Sequence, residues 1–178
     1  SHAARSWAAV ALGIQAAGAV MMPIYPASTA EQVQYVVSHA QANVVFVGGR
    51  EQATRVGQVA THHRVTAVCL DSAASGQLPD APAWTSARGD AEHRDRSQPA
   101  LVDDRLAAID VDRPGLLLYT SGTSGPPKGV PLTHRNVGAN SIDWMRNHAE
   151  LIDEGDVDLL WLPMSHIFGF GEMCLGNT

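Results

Sequence analysis

Four serine and threonine hydroxyls, three glycines and one lysine are gathered between Thr120 and Gly129, directly behind the apolar run Leu116–Tyr119. Residues of these types in this order suit an anion. Glycines let backbone N–H groups approach it closely, hydroxyls donate further hydrogen bonds, and a lysine on a flexible stem supplies positive charge. Phosphate is the natural occupant of such a loop. Two familiar loops are excluded by spacing. A Walker A loop needs a glycine where Pro127 stands and Ser or Thr where Gly129 stands. A nucleophile elbow, Gly-x-Ser-x-Gly, fits neither Ser121 nor Ser124. An ordinary Gly/Ser/Pro-rich surface turn accounts for the composition but not for this order between a strand and a helix.

The stretch YTSGTSGPPKGVPLTHRNV, Tyr119 to Val137, resembles the phosphate loop of the adenylate-forming, or AMP-binding, superfamily. That superfamily includes acyl-CoA synthetases, luciferases and peptide-synthetase adenylation domains. Ser124 departs from the usual threonine and keeps its hydroxyl. A second block, Leu162-Pro-Met-Ser-His-Ile-Phe-Gly169, resembles the family's Leu-Pro-x-x-His-x-Phe-Gly segment. Alone, a histidine among apolar residues reads as a hydrogen-bonded core residue; beside the loop it reads as part of a substrate pocket. A third and softer likeness covers Ala11–Val20, Pro23-Ile-Tyr-Pro26 and Ser28–Val33, whose Ile-Tyr-Pro-x-Ser order is closest to the long-chain fatty acyl branch.

The resemblance implies a chemistry and a set of roles. A carboxylate attacks the α-phosphate of ATP to give an acyl-adenylate and pyrophosphate, and a thiol, expected to be coenzyme A, then takes the acyl group and releases AMP. Two anions must meet, so donors around the triphosphate, Mg2+ and exclusion of water are all required. By this likeness Thr120, Ser121, Gly122, Thr123, Ser124, Gly125 and Lys128 hold the phosphates, and Thr120 also contacts the magnesium. Lys128 and His166 are the catalytic candidates, with His166 near the carboxylate and α-phosphate, and Phe168 shapes the wall of the acyl pocket. The family's later motifs are not found: the magnesium-holding glutamate of Tyr-Gly-x-Thr-Glu, the ribose-holding aspartate of Thr-Gly-Asp, the hinge, and the C-terminal domain with its catalytic lysine. The expectation is therefore a truncated segment, residues 1–178, of the large N-terminal domain of an acyl-CoA synthetase-like fold. It is expected to be inactive alone, with apolar sheet edges that favour homo-oligomerisation. A peptide-synthetase or aryl-acid relative, or a non-catalytic nucleotide-binding or interaction protein, remain as alternatives.

At 178 residues, 45% apolar and 17% charged, the chain can bury a core. Its net charge of -6 and lack of a basic run argue against nucleic acid as a partner. Cys69 and Cys174 form neither a disulfide framework nor a metal-ligand spacing, and His62-His63 are adjacent, so zinc-type pairing is missing and a cytoplasmic setting is expected. The uncharged run Trp7–Tyr25 is rich in alanine and glycine and contains Gln15 and Pro23, which makes a core helix and strand a better account than a membrane span.

The elements that must carry these residues follow from periodicity. A small-residue helix is predicted over 6–18 and a strand over Val20–Tyr25. Ser28 and Glu31 have capping-box spacing, opening a helix to about His39 with Val33, Val36 and Val37 inward. Val44–Val47 is a short all-apolar strand, 50–61 a helix and Val65–Leu70 another strand, giving β-α-β-α-β over 20–70. Residues 71–98 read as a long surface loop. Leu116–Tyr119 delivers the phosphate loop, Val130–Leu132 returns, and Thr133 caps a helix to about Leu151 with Val137, Ile142, Met145 and Ala149 inward. An acidic turn over 153–158 precedes a strand, Leu159–Leu162. The fold class is α/β, with a mostly parallel sheet flanked by helices.

Overall fold

The computed structural model describes residues 2–59, 64–120, 126–151, 164–167 and 169–171. The chain divides into two compact units, one comprising Ser1–Gly18 with Pro26–Ala108 and the other Ala19–Tyr25 with Ile109–Thr178.

In the first unit, α1 (His2–Ala16) buries Ser6, Val10 and Ala11, residues that fall on one side of a helix. Helix α2 (Ala30–His39) buries Val33, Val36 and Val37, as their spacing predicts. Its capping box lies one residue later than expected, on Thr29 and Gln32 rather than Ser28 and Glu31. Gln32 N–H donates to Thr29 Oγ1 at 3.2 Å and Thr29 N–H to Gln32 Oε1 at 2.9 Å. Threonine and glutamine offer the same reciprocal oxygens as serine and glutamate, so the sequence contains two overlapping frames for one cap.

Strands β1 (Val44–Val47) and β2 (Thr66–Cys69) pair in parallel, with α3 (Arg50–Gly57) as the crossover. Val47, Ala53, Cys69 and Ala74 form the core of this unit, with Val56, Leu78 and Ala81 packed against it. Gly49, the N-cap residue of α3, sits at φ 82 and brings no capping side chain. Asp71 joins two helix starts instead: its carboxylate accepts from Gly49 N–H at 2.8 Å and from Ala74 N–H at 2.8 Å, the second bond capping α4 (Ser72–Ser75).

The surface loop expected over residues 71–98 is helical for much of its length, with α4 and then α5 (Trp84–Ser97). Helix α5 buries no residue, so it has no apolar stripe by which periodicity could mark it. Helix α6 (Leu101–Ala107) follows and touches α1.

The strand predicted over Val20–Tyr25 reduces to one parallel bridge, Met21 with Leu116, which belongs to the second unit and not to the β1–β2 sheet. Pro23 has no N–H to continue a ladder. Met21 N–H donates to Gly115 C=O at 3.0 Å and Leu117 N–H to Met21 C=O at 2.9 Å. Leu116 is thereby lodged at the centre of this unit and is fully buried.

Strands β3 (Pro114–Thr120) and β4 (Lys128–Thr133) form an antiparallel hairpin with an irregularity between Pro114 and Leu116. Helix α7 (His134–His148) starts at Thr133 with a full capping box, Asn136 being the reciprocal partner. The inward face predicted for α7 needs correction, because Ile142 is 51% and Met145 36% exposed, and the one buried residue is Ser141. The expected strand Leu159–Leu162, the acidic turn before it, His62-His63 and Cys174 lie outside the described residues.

Candidate functional site

The ends of the Gly/Ser-rich loop are placed by the hairpin. Thr120, the last residue of β3, is the cross-strand partner of Lys128, the first of β4. Directly opposed residues of an antiparallel pair project on the same side, so the Thr120 hydroxyl and the Lys128 ammonium share one face. Both are exposed, and Lys128 makes no ion pair with any of the described residues. Ser121, Gly122, Thr123, Ser124 and Gly125 lie outside the described residues.

One step back, Tyr119 is paired with Gly129. A Cβ on Gly129 would stand 3.2 Å from Leu117 Cδ1 and 3.4 Å from the Tyr119 ring, so the absence of a side chain lets the tyrosine lie across the strand. A side chain there would press on the leucine by a few tenths of an ångström, so the glycine after the lysine eases the packing of the hairpin.

The base of the hairpin is joined to α7. A Cβ on Gly115 would fall 2.6 Å from His134 Nε2, so the imidazole occupies the space a side chain would need. Arg135 N–H donates to Val111 C=O at 2.9 Å, and its guanidinium grips Asp112 in a two-pronged pair at 2.6 and 3.0 Å. The hydrogen bond from Arg135 holds the Asp112 carboxyl below its ordinary value, and Asp112 raises Arg135 in turn. Both groups are solvent-exposed, so this pair orients more than it stabilises.

His166 is half-buried and packs edge-on against Tyr25, with ring centroids 6.3 Å apart and planes at 76°. Its C=O accepts from Phe170 N–H at 2.9 Å, and Phe170 is fully buried. The neighbouring Ser165 is 7% exposed, and its hydroxyl has no hydrogen-bond partner among the described residues. Phe168 lies outside the described residues. Sequence reasoning missed Tyr25 as a neighbour of His166. Pro23-Ile-Tyr-Pro26 had served only as a subfamily mark, and nothing in its spacing reveals a partner so distant along the chain.

Among the described residues no three His, Cys, Asp or Glu side chains converge on a metal position. An exposed hydroxyl and an exposed ammonium on one face suit a triphosphate. Thr120 could give magnesium a single oxygen, which fits an ion that takes most of its ligands from phosphate and water. No helix among the described residues is long and apolar enough to cross a membrane, and the uncharged run after Trp7 leaves α1 at Ala16.

The hairpin, its loop composition and the α/β setting are those of an adenylate-forming enzyme domain. The chain belongs to the AMP-binding enzyme family, whose model matches residues 2–177. It is 35% identical over 161 residues to the long-chain-fatty-acid–CoA ligase FadD15 of Mycobacterium bovis, covering 90% of this chain and 26% of that protein. It is 33% identical over 163 residues to the sulfoacetate–CoA ligase of Cupriavidus necator, covering 89% of this chain and 28% of that protein. The chain thus spans about a quarter of the length of the curated relatives it matches. Among solved structures, VinN shares the fold with a TM-score of 0.65 at 21% identity, over 97% of this chain and 38% of its own.

Proposed function

We propose that the protein carrying these residues is an ATP-dependent fatty acid–CoA ligase of the cytoplasm. It joins a carboxylate to AMP and then passes the acyl group to coenzyme A. The observation that carries this reading is the Thr120–Lys128 pair, which sets a hydroxyl and a cation on one face at the two ends of the Gly/Ser-rich loop. Residues 121–125 between them would supply further donors to the β- and γ-phosphates, with magnesium shared between Thr120 and the nucleotide. His166 would stand by the carboxylate, and Phe168 beside the acyl chain. Lys128 would neutralise charge on the phosphates as the carboxylate approaches the α-phosphorus, which is where repulsion between the two anions is greatest. Residues 1–178 alone lack the family's ribose-holding aspartate and magnesium-holding glutamate, so on this reading they do not turn over unaided.

The likeness to a sulfoacetate–CoA ligase, nearly as high as that to the fatty acyl enzyme, favours one competing reading, activation of a short polar acid. ATP–pyrophosphate exchange by the complete reading frame, with fatty, aromatic and short polar acids in parallel, separates the two. Exchange with long-chain acids is the expected result. Exchange confined to polar acids would overturn the fatty acyl assignment, and no exchange with any acid would overturn adenylation itself.

A further inference from the structure

We infer that the ring of Tyr25 forms one wall of the acid site and sets which acids enter it, an inference that rests on the carboxylate-activating reading proposed above. The bridge between Met21 and Leu116 is parallel, so the chain leaves Met21 in the direction β3 takes from Leu116 towards Thr120. Burial alternates along this segment: Met21 and Pro23 are buried, Met22 and Ile24 half-buried. That is the pattern of an extended chain, whose alternate side chains share a face. Counted from the bridge, Met21, Pro23 and Tyr25 therefore fall on the face of Leu116, Leu118 and Thr120. Both rows begin buried, at Met21 and Leu116, and end exposed, at Tyr25 and Thr120. Lys128 stands opposite Thr120 on that same face.

Tyr25 thus reaches the end of the hairpin where the hydroxyl and the ammonium emerge, and its ring meets the imidazole of His166 edge-on, with centroids 6.3 Å apart. It links the phosphate-binding end of the candidate site to the candidate histidine. The side chain is 40% exposed, so a substantial part of an aromatic surface is open to a ligand. A carboxylate lying beside His166 brings its neighbouring carbons within reach of that ring. In a fatty acid these carbons are apolar and need cover rather than hydrogen bonds, which an aromatic wall supplies. Such a wall acts through shape: it accommodates an unbranched methylene chain and crowds a substituent on the carbon next to the carboxylate.

Tyr25→Ala, Tyr25→Phe and Tyr25→Trp in the complete protein test this, read by ATP–pyrophosphate exchange with a straight-chain fatty acid and its 2-methyl-branched counterpart. Tyr25→Ala should raise the branched-to-straight ratio of kcat/KM about 10-fold or more and leave KM for ATP within about 2-fold, since room beside the acid and not nucleotide affinity is changed. Tyr25→Trp should lower that ratio, and Tyr25→Phe, which keeps the ring, should hold it within about 2-fold of wild type. A residue needed only for folding would weaken exchange with both acids alike. An unchanged ratio in both the alanine and the tryptophan variants would therefore overturn the inference, as would a phenylalanine variant altered as much as alanine. A raised KM for ATP with the acid ratio unmoved would overturn it too, by assigning Tyr25 to the nucleotide. The two levels of failure are distinct: wild-type protein that exchanges with no acid defeats the functional reading and the inference together, whereas wild-type exchange with an unmoved ratio defeats the inference alone.

Discussion

The first unit turns its chemistry inward and the second turns it outward. In the β1–α3–β2 unit Asp71 spends its carboxylate on the backbone N–H groups of Gly49 and Ala74. Its core of Val47, Ala53, Cys69 and Ala74 is closed around small residues. In the hairpin unit Thr120 and Lys128 are exposed, and the Ser165 hydroxyl is buried without a partner among the described residues. A polar group already satisfied by its own backbone has little left to offer a ligand; one left unsatisfied, or held out in water, is available. The contrast accords with a candidate site in the second unit.

Lys128→Ala should give the widest separation between the two kinds of effect. In the complete protein, pyrophosphate exchange should fall about 100-fold or more, roughly 2.7 kcal/mol of lost transition-state stabilisation, with the melting temperature scarcely altered. Wild-type exchange rates in that variant would remove the loop from the chemistry. Asp71→Ala should do the reverse. Two helix-start N–H groups lose their acceptor, so urea denaturation should show a loss of about 1–3 kcal/mol, while exchange per folded molecule is retained. If Asp71→Ala instead abolished exchange in folded protein, the inward–outward distinction would collapse.

The smallest effect belongs to Asp112→Asn. The carboxyl of Asp112 is held below its ordinary value by Arg135, so its stabilisation is present above the usual carboxylate range and is lost as pH falls through the lowered value. Melting curves of wild type and Asp112→Asn should therefore differ slightly at neutral pH and converge in acid. A gap that persists in strong acid would mean that the asparagine disturbs packing and not charge.

How much of this was legible in the sequence depended on whether a residue's partner lay nearby. Val44–Val47 announces a parallel strand by being apolar throughout, Val65–Leu70 reads as its partner from a largely apolar run, and Thr133 is a cap readable within one helical turn. Helix α5 was illegible because it buries no residue fully, and periodicity records burial rather than helicity. The outward Ile142 and Met145 show the opposite failure, apolar spacing on a helix face that the described residues leave open. The Thr120 and Lys128 candidates were readable because the loop joins them; Tyr25 was not, since its meeting with His166 depends on a bridge at Met21 that Pro23 disguises.

The close approach of His134 to Gly115 has a consequence at the far end of the hairpin. Side chains alternate along a strand, so the face on which Lys128 emerges is a matter of odd and even counting from the base. A slip of one residue would present the lysine to the opposite side without altering a letter of the loop. The His134 ring stands where a Cβ on Gly115 would fall, next to the irregularity after Pro114, so a larger residue there would have to displace the imidazole at the base from which that count runs. A glycine and a histidine that need never touch a nucleotide thus bear on the parity of the candidate phosphate loop.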